Sequence, residues 1–158
     1  MVRANASTTD AGWFQSAAGR KRLASDFTNA TATMADLTDL SVTLVAARKY
    51  AFKMILFVSD SVAAEGAKID FDGGAATMTD FRAHATVFDT ALLLSSQTTA
   101  IATDFAVATV TGAAMIEVYG TLVANAGGTF IPRAAQNSHA AGTLTVETGS
   151  FLWIEDMP

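Results

Sequence analysis

The sequence predicts an all-β protein: a jelly-roll-like β-sandwich with an extended N-terminal arm. Three observations carry this. Short runs of β-branched, aromatic and aliphatic residues recur, with turn signals every ten to fifteen residues or so. No stretch keeps the i, i+3, i+4 apolar spacing of a long amphipathic helix. Finally, the run Leu40–Ser59, LSVTLVAARKYAFKMILFVS, holds two apolar segments around a polar hinge at Arg48-Lys49. In the second segment Tyr50, Phe52, Met54, Leu56 and Val58 share one face of a strand, and Ala51, Lys53, Ile55 and Phe57 share the other. With both faces largely apolar, that strand is expected at the centre of a sheet or beneath a second subunit.

Composition narrows the function. The 158 residues suit one domain, divided as an arm over 1–24 and a sandwich over 25–158. Alanine and threonine supply about a third of the chain, which fits close packing of small side chains better than a bulky cleft. Charged residues reach only 16 %, so little surface is defended by charge, and part of it is expected to be hidden in an assembly. The absence of cysteine excludes disulfides, thiolate metal sites and thiol nucleophiles. No apolar leader follows Met1, and Phe105–Ala124, interrupted by Glu117 and two glycines, reads as strands rather than a membrane helix. Charge is uneven. Arg3, Arg20, Lys21 and Arg22 face only Asp10 in residues 1–22, while Lys68, Arg82 and Arg133 face eleven acids from Met54 onward. An acidic body repels phosphate, so no nucleic-acid partner is expected; the basic arm suits an acidic protein surface.

Along the chain, residues 1–24 are polar apart from Trp13-Phe14. They read as an arm ordered by a partner, with Trp13 and Phe14 as anchors and Arg20, Lys21 and Arg22 as a charge clamp. A short strand is expected near Thr31–Met34, then the two central runs Leu40–Ala46 and Tyr50–Val58. Ala67–Phe71 is a strand with Ile69 and Phe71 inward. Asp72-Gly73-Gly74 marks a hairpin that lets Ala75–Phe88 pair back. Thr90–Ser96 reads equally as helix or strand, and 97–104 as loop or edge. Phe105–Thr111 and Ala113–Ala124 are strands flanking Gly112. In the second, Ile116, Val118 and Leu122 oppose Met115, Glu117, Tyr119 and Val123. After the Asn125–Gly128 turn, Pro132 places the strand Thr129–Gln136 at an edge or bulge. Thr143–Glu147 and Phe151–Glu155 close the fold, with Trp153 pinning the last strand.

Candidate chemistry is sparse. His84 and His139 have no metal-ligand spacing, and no G-x-S-x-G elbow marks a nucleophile. Asp70-Phe-Asp72-Gly-Gly begins like a calcium loop but lacks the later ligands, so the hairpin reading is preferred, with a weak intersubunit calcium site as the alternative. Glu117 in AMIEVYG needs a partner such as Lys53 or Arg133, or else faces water or a subunit boundary. Asp70, Asp72 and Asp80 read as solubilising surface. No paired acids, phosphate loop or metal cluster emerges, so neither an enzyme nor a bound cofactor is expected.

Three segments carry a resemblance: ARKYAFKMILFVSDSVAAEGAKIDFDG, MIEVYGTLVANAGGTFIPRAAQ and LTVETGSFLWIED. Tyr50, Phe52, Gly66, Lys68, Ile116, Glu117, Gly120, Gly128, Ala135, Gln136, Gly149, Ser150 and Leu152 stand where small virion proteins of tailed bacteriophages have their turns and strand cores. Over about residues 45–156 the chain resembles that group. The resemblance implies a jelly-roll homotrimer on the virion, with the major capsid protein as partner and no membrane. It further implies a head decoration (cement) protein, the arm residues Trp13, Phe14, Arg20, Lys21 and Arg22 then meeting the shell or a neighbouring subunit. The alternative is a receptor-binding or fibre module whose loops 59–66 and 125–128 touch the host.

Overall fold

The computed structural model describes residues 19–62, 65–89, 93–108, 110, 112–138 and 141–157. Among them run thirteen strands and one 3-10 turn. The first are β1 (Gly19–Arg22), β2 (Phe27–Asn29), β3 (Ala35–Asp36), then the turn Thr38–Leu40, β4 (Val42–Leu44) and β5 (Arg48–Asp60). Next come β6 (Ala67–Asp72), β7 (Thr77–Phe88), β8 (Leu93–Thr98) and β9 (Phe105–Ala108). The last are β10 (Gly112–Ala126), β11 (Gly128–Gln136), β12 (Leu144–Val146) and β13 (Phe151–Met157). Sheet A runs β1-β13-β5-β10-β7-β8, with β12 joining β5 to β2; sheet B runs β3-β11-β6-β9, with β4 also on β11.

The pairing is that of a jelly roll. Setting aside the inserted β7–β8 hairpin and the short β2–β12 pair, the outermost strands in sequence, β1 and β13, pair with each other. The next pair inward is β4 with β11, then β5 with β10, then β6 with β9. The folded-over ribbon rolls so that β13 also reaches β5 and β11 also reaches β6. Two stacked antiparallel sheets result.

Alternation fills the space between them. Tyr50, Phe52, Met54, Leu56 and Val58 are all buried, as are Ile116, Val118 and Leu122 of β10. Phe71 of β6 is the hub, its ring centroid 5.0 Å from Phe130, 5.2 Å from Phe52, 5.7 Å from Phe81 and 6.0 Å from Phe105. These rings come from both sheets and zip them together. The buried Tyr50 hydroxyl accepts a hydrogen bond from Val45 N at 2.9 Å, tying β5 to the preceding turn. Gly120 leaves room for the Phe52 ring, which any Cβ at that position would overlap.

The structure departs from sequence expectation at five places. Residues 19–22 form strand β1 and Leu23 is buried, so the end of the expected arm is part of the sandwich; residues 1–18, with Trp13 and Phe14, lie outside those described. The turn between the central runs falls at Val45–Ala47, where Ala47 takes φ 59°, and Arg48-Lys49 already belong to β5. The early strand expected at Thr31–Met34 is displaced, to β2 and β3 on either side. Asp72–Gly74 does turn the chain, Asp72 Oδ1 accepting from Gly74 N at 2.9 Å, but β7 crosses to sheet A because β11 and β9 already occupy both edges of β6. Pro132 lies in a central strand: β4 covers Gly128–Phe130 and β3 covers Arg133–Ala134, leaving a gap at Pro132 where no amide donor is required. There its carbonyl accepts from Leu37 N at 2.9 Å. The segment read as helix or strand becomes β8, with 90–92 outside the described residues.

Replacing Phe71 with alanine should cost about 3–5 kcal/mol through the cavity it leaves. Gly120→Ala should cost about 1–3 kcal/mol through overpacking against Phe52. Urea midpoints at unchanged slope measure both losses.

Candidate functional site

The outer faces of the two sheets differ in chemistry. On sheet B the exposed side is charged and internally matched. Arg133 of β11 stands opposite Asp70 of β6, donating from Nε to Asp70 Oδ1 at 2.8 Å and from Nη2 to Oδ2 at 2.5 Å. Its Nη1 reaches Asp72 Oδ2 at 3.0 Å. Asp70, followed by the charges of Asp72 and Asp36, holds Arg133 above the ordinary arginine value against the opposing effect of its burial. Lys68 pairs with Asp104 at 2.7 Å. Asp70 is therefore not the solubilising surface residue expected: its side chain is 1 % exposed beneath the guanidinium. The cation bridging Asp70 and Asp72 is Arg133, and no cluster of metal-ligating side chains occurs among the described residues.

Sheet A presents an apolar outer face. Pairing registers lay it out in rows. Phe57, Met115 and Phe88 form one; Phe151, Ile55, Glu117 and Thr86 the next; Trp153, Lys53, Tyr119 and His84 the third. Phe57, Phe88 and Tyr119 are 38 %, 41 % and 45 % exposed, three of the five large apolar or aromatic side chains left open to solvent among the described residues. An open groove of about 420 Å³ runs between Phe57, Phe88 and Met115, with the acids Asp89 and Glu147 also in its lining. Within these three rows Lys53 pairs with Glu117 at 2.6 Å, with Lys53 Nζ also 3.3 Å from Tyr119 Oη and 5.0 Å from its ring centroid; beyond them the same face turns polar, with Lys49, Thr121 and the ion pair of Arg82 with Asp80. Lys53 is thus the partner that Glu117 required. Its hydrogen bond, then that of Tyr119, holds the Glu117 carboxyl below the usual glutamate value. Lys53 and Glu117 cancel each other's charge within the three rows. His84, at its border, is exposed and bonds Ser95 Oγ at 2.6 Å; His139 lies outside the described residues.

The β1 margin of this face is basic. Arg20 and Arg22 stand opposite Trp153 and Phe151, with the Arg20 guanidinium carbon 5.0 Å from the Trp153 ring centroid. A groove of about 450 Å³ is lined by Arg20, Lys21, Arg22, Gly149, Phe151 and Trp153. Of the arm residues singled out in the sequence, the structure thus brings Arg20, Lys21 and Arg22 together on one strand.

Of the loops named as host contacts, 59–66 and 125–128, the described residues are held by the fold, with 63 and 64 outside those described. Asn125–Gly128 joins β10 to β11 through Gly127 alone, and does not project. Loop 61–66 is clamped by the buried Glu65, whose carboxylate accepts from Ala141 N at 2.7 Å, Gly142 N at 2.9 Å and Gln136 Nε2 at 2.5 Å. Sequence reasoning missed this clamp, although the Ala-Gln motif contains one of its members. It named Ser150 only as a residue at a turn or strand core and missed its bonds: the hydroxyl donates to Glu147 O at 2.8 Å and accepts from Phe57 N at 3.0 Å, sealing β5 against the β12–β13 turn.

The molecule is accordingly a jelly-roll sandwich with a charged outer face on sheet B, an outer face on sheet A that is aromatic-rich toward Phe57, Phe88 and Trp153 and polar toward Arg82 and Asp80, and a basic margin along β1. No family model and no curated protein matches the sequence. Among solved structures, that of Eiger TNF from S. frugiperda is similar at 9 % identity and a TM-score of 0.44, over 89 % of this chain and 92 % of that one.

Two outcomes follow. Arg133→Met should destabilise by about 3 kcal/mol or more by stranding the buried Asp70 carboxylate, and adding Asp70→Asn should recover part of the loss in thermal or urea melts. Because the Glu117 carboxyl is depressed in the folded state, its contribution is fully present above the usual glutamate range and disappears as pH falls through the lowered value. Glu117→Gln should therefore flatten the acid limb of a stability–pH profile and, because the same carboxylate is the first cause of the raised Lys53, change the far alkaline limb too, leaving only the neutral stretch parallel to the parent.

Proposed function

We propose that this protein is a virion structural protein of a tailed bacteriophage: a head decoration (cement) protein that binds the shell as a homotrimer. The observation that carries the reading is the contrast between the two outer faces. A charged sheet B is content in water, whereas a neutral, aromatic-rich sheet A face gains by being covered. At about 25 cal/mol per Å² of apolar surface, covering that face with sister copies offsets the entropy of association. The phage-like motifs along residues 45–156 support the same reading. The basic β1 margin, with Trp13 and Phe14 upstream, then meets the major capsid protein, and a modest contact repeated over many copies holds the shell against internal pressure. The tied-down loops favour this over a host-binding fibre module.

Light scattering of the purified protein should give the mass of three chains, and Phe57→Asp with Phe88→Asp should shift it to one with an unchanged far-UV spectrum. A parent that is already monomeric overturns the assembly face. Sedimentation with shells lacking the protein tests the partner. Removing residues 1–18, which spares β1, together with Arg20→Glu and Arg22→Glu, should abolish pelleting; undiminished pelleting refutes the shell contact.

A further inference from the structure

The free edge of β1 has a specific competence. Leu23 N donates to Ser150 O at 2.8 Å, so the pair Leu23–Ser150 is a hydrogen-bonded one in the antiparallel β1–β13 ladder. Pairs alternate along such a ladder, so Lys21 and Gly19 also turn their backbone groups toward β13, and Arg20 and Arg22 turn theirs away. No described strand lies on that side. Arg20, Lys21 and Arg22 are all exposed, and none is in an ion pair with a described residue. Three successive unmatched bases on a strand edge, in a chain of net charge −5, form a one-sided electrostatic template. The Phe151–Trp153 groove beside them supplies apolar floor.

We propose that the β1 edge takes up an acidic, extended polypeptide segment as a further strand of sheet A. The amide and carbonyl groups of Arg20 and Arg22, which meet no strand among the described residues, bond the incoming backbone. Carboxylates at alternate positions of the segment meet the Arg20 and Arg22 side chains on the outer face, and the carboxylate between them meets Lys21. A polypeptide fits better than a nucleic acid, because only a strand offers donors and acceptors at the spacing this edge presents, and because the acidic body repels a phosphate backbone. The proposal rests on the reading of β1 as the shell-facing contact for the source of the segment, a capsid subunit. Its chemistry is tested on the isolated full chain.

The probes are short synthetic peptides with a central Asp-Glu-Asp flanked by valine and threonine in several registers, each with a backbone N-methylated twin, and oligothymidylate as a non-peptide polyanion. At least one peptide should bind and slow hydrogen exchange at the Arg20 and Arg22 amides. Its N-methylated twin should bind about tenfold more weakly or worse. Arg20→Glu with Arg22→Glu, checked for an unchanged far-UV spectrum, should weaken the peptide by about tenfold or more. No binding by any register, equal binding by the N-methylated twins, tighter binding of oligothymidylate, or unprotected Arg20 and Arg22 amides would each overturn strand addition. Peptide binding without shell pelleting would retain the edge and remove the capsid reading; shell pelleting without peptide binding would do the reverse.

Discussion

Everything in this molecule depends on the contact of five phenylalanine rings across the gap between two sheets. Phe52 and Phe81 come from sheet A; Phe71, Phe105 and Phe130 come from sheet B. A sandwich of small, alanine-rich strands has little apolar volume per residue, so a few large rings must supply the interlock. Their demands propagate outward. Phe52 forces a glycine at 120 on the neighbouring strand. Once Phe52 faces inward, the period of two sends Lys53, Ile55 and Phe57 to the outside of the same strand.

That compulsion explains the contrast between the faces. On sheet B the outward positions went to Lys68, Asp70, Asp72 and Arg133, which neutralise one another and need no cover. Sheet A gave the same geometrical positions to Phe57, Phe88, Met115, Tyr119, Phe151 and Trp153. Lys53 and Glu117 sit among these rings as an internally cancelled pair, removing net charge from the centre of the face. An assembly built through such a face can be apolar without leaving a charge unpaired.

Sequence patterns revealed residues more readily than neighbours. The two faces of β5 and β10 were legible because alternation is a local property, and so was the turn at Asp72–Gly74. The partner of β7 was not legible: a turn signal reports that the chain reverses, not which sheet it enters, and β7 found its place beside β10 only because β6 was already flanked. Pro132 misled for a related reason. It forbids one amide bond, and the break between β3 and β4 lets a central strand tolerate that. Arg20, Lys21 and Arg22 were recognisable as a basic cluster, but their strand was not, since three bases in a row have no apolar alternation to betray it. The aromatic rows of sheet A required pairing registers between four strands, which no single segment contains.

The nested pairing has a temporal meaning. Because β1 is matched with β13, the basic margin cannot take shape until residues 151–157 have left the ribosome, and β13 must find β5 across roughly a hundred intervening residues. A chain with so few local contacts gathers slowly, and in the interval the aromatic strands β5 and β10 lie bare. The strands that carry the rings are therefore the ones at risk of misassociation before closure, and the basic margin is the last part of sheet A to form.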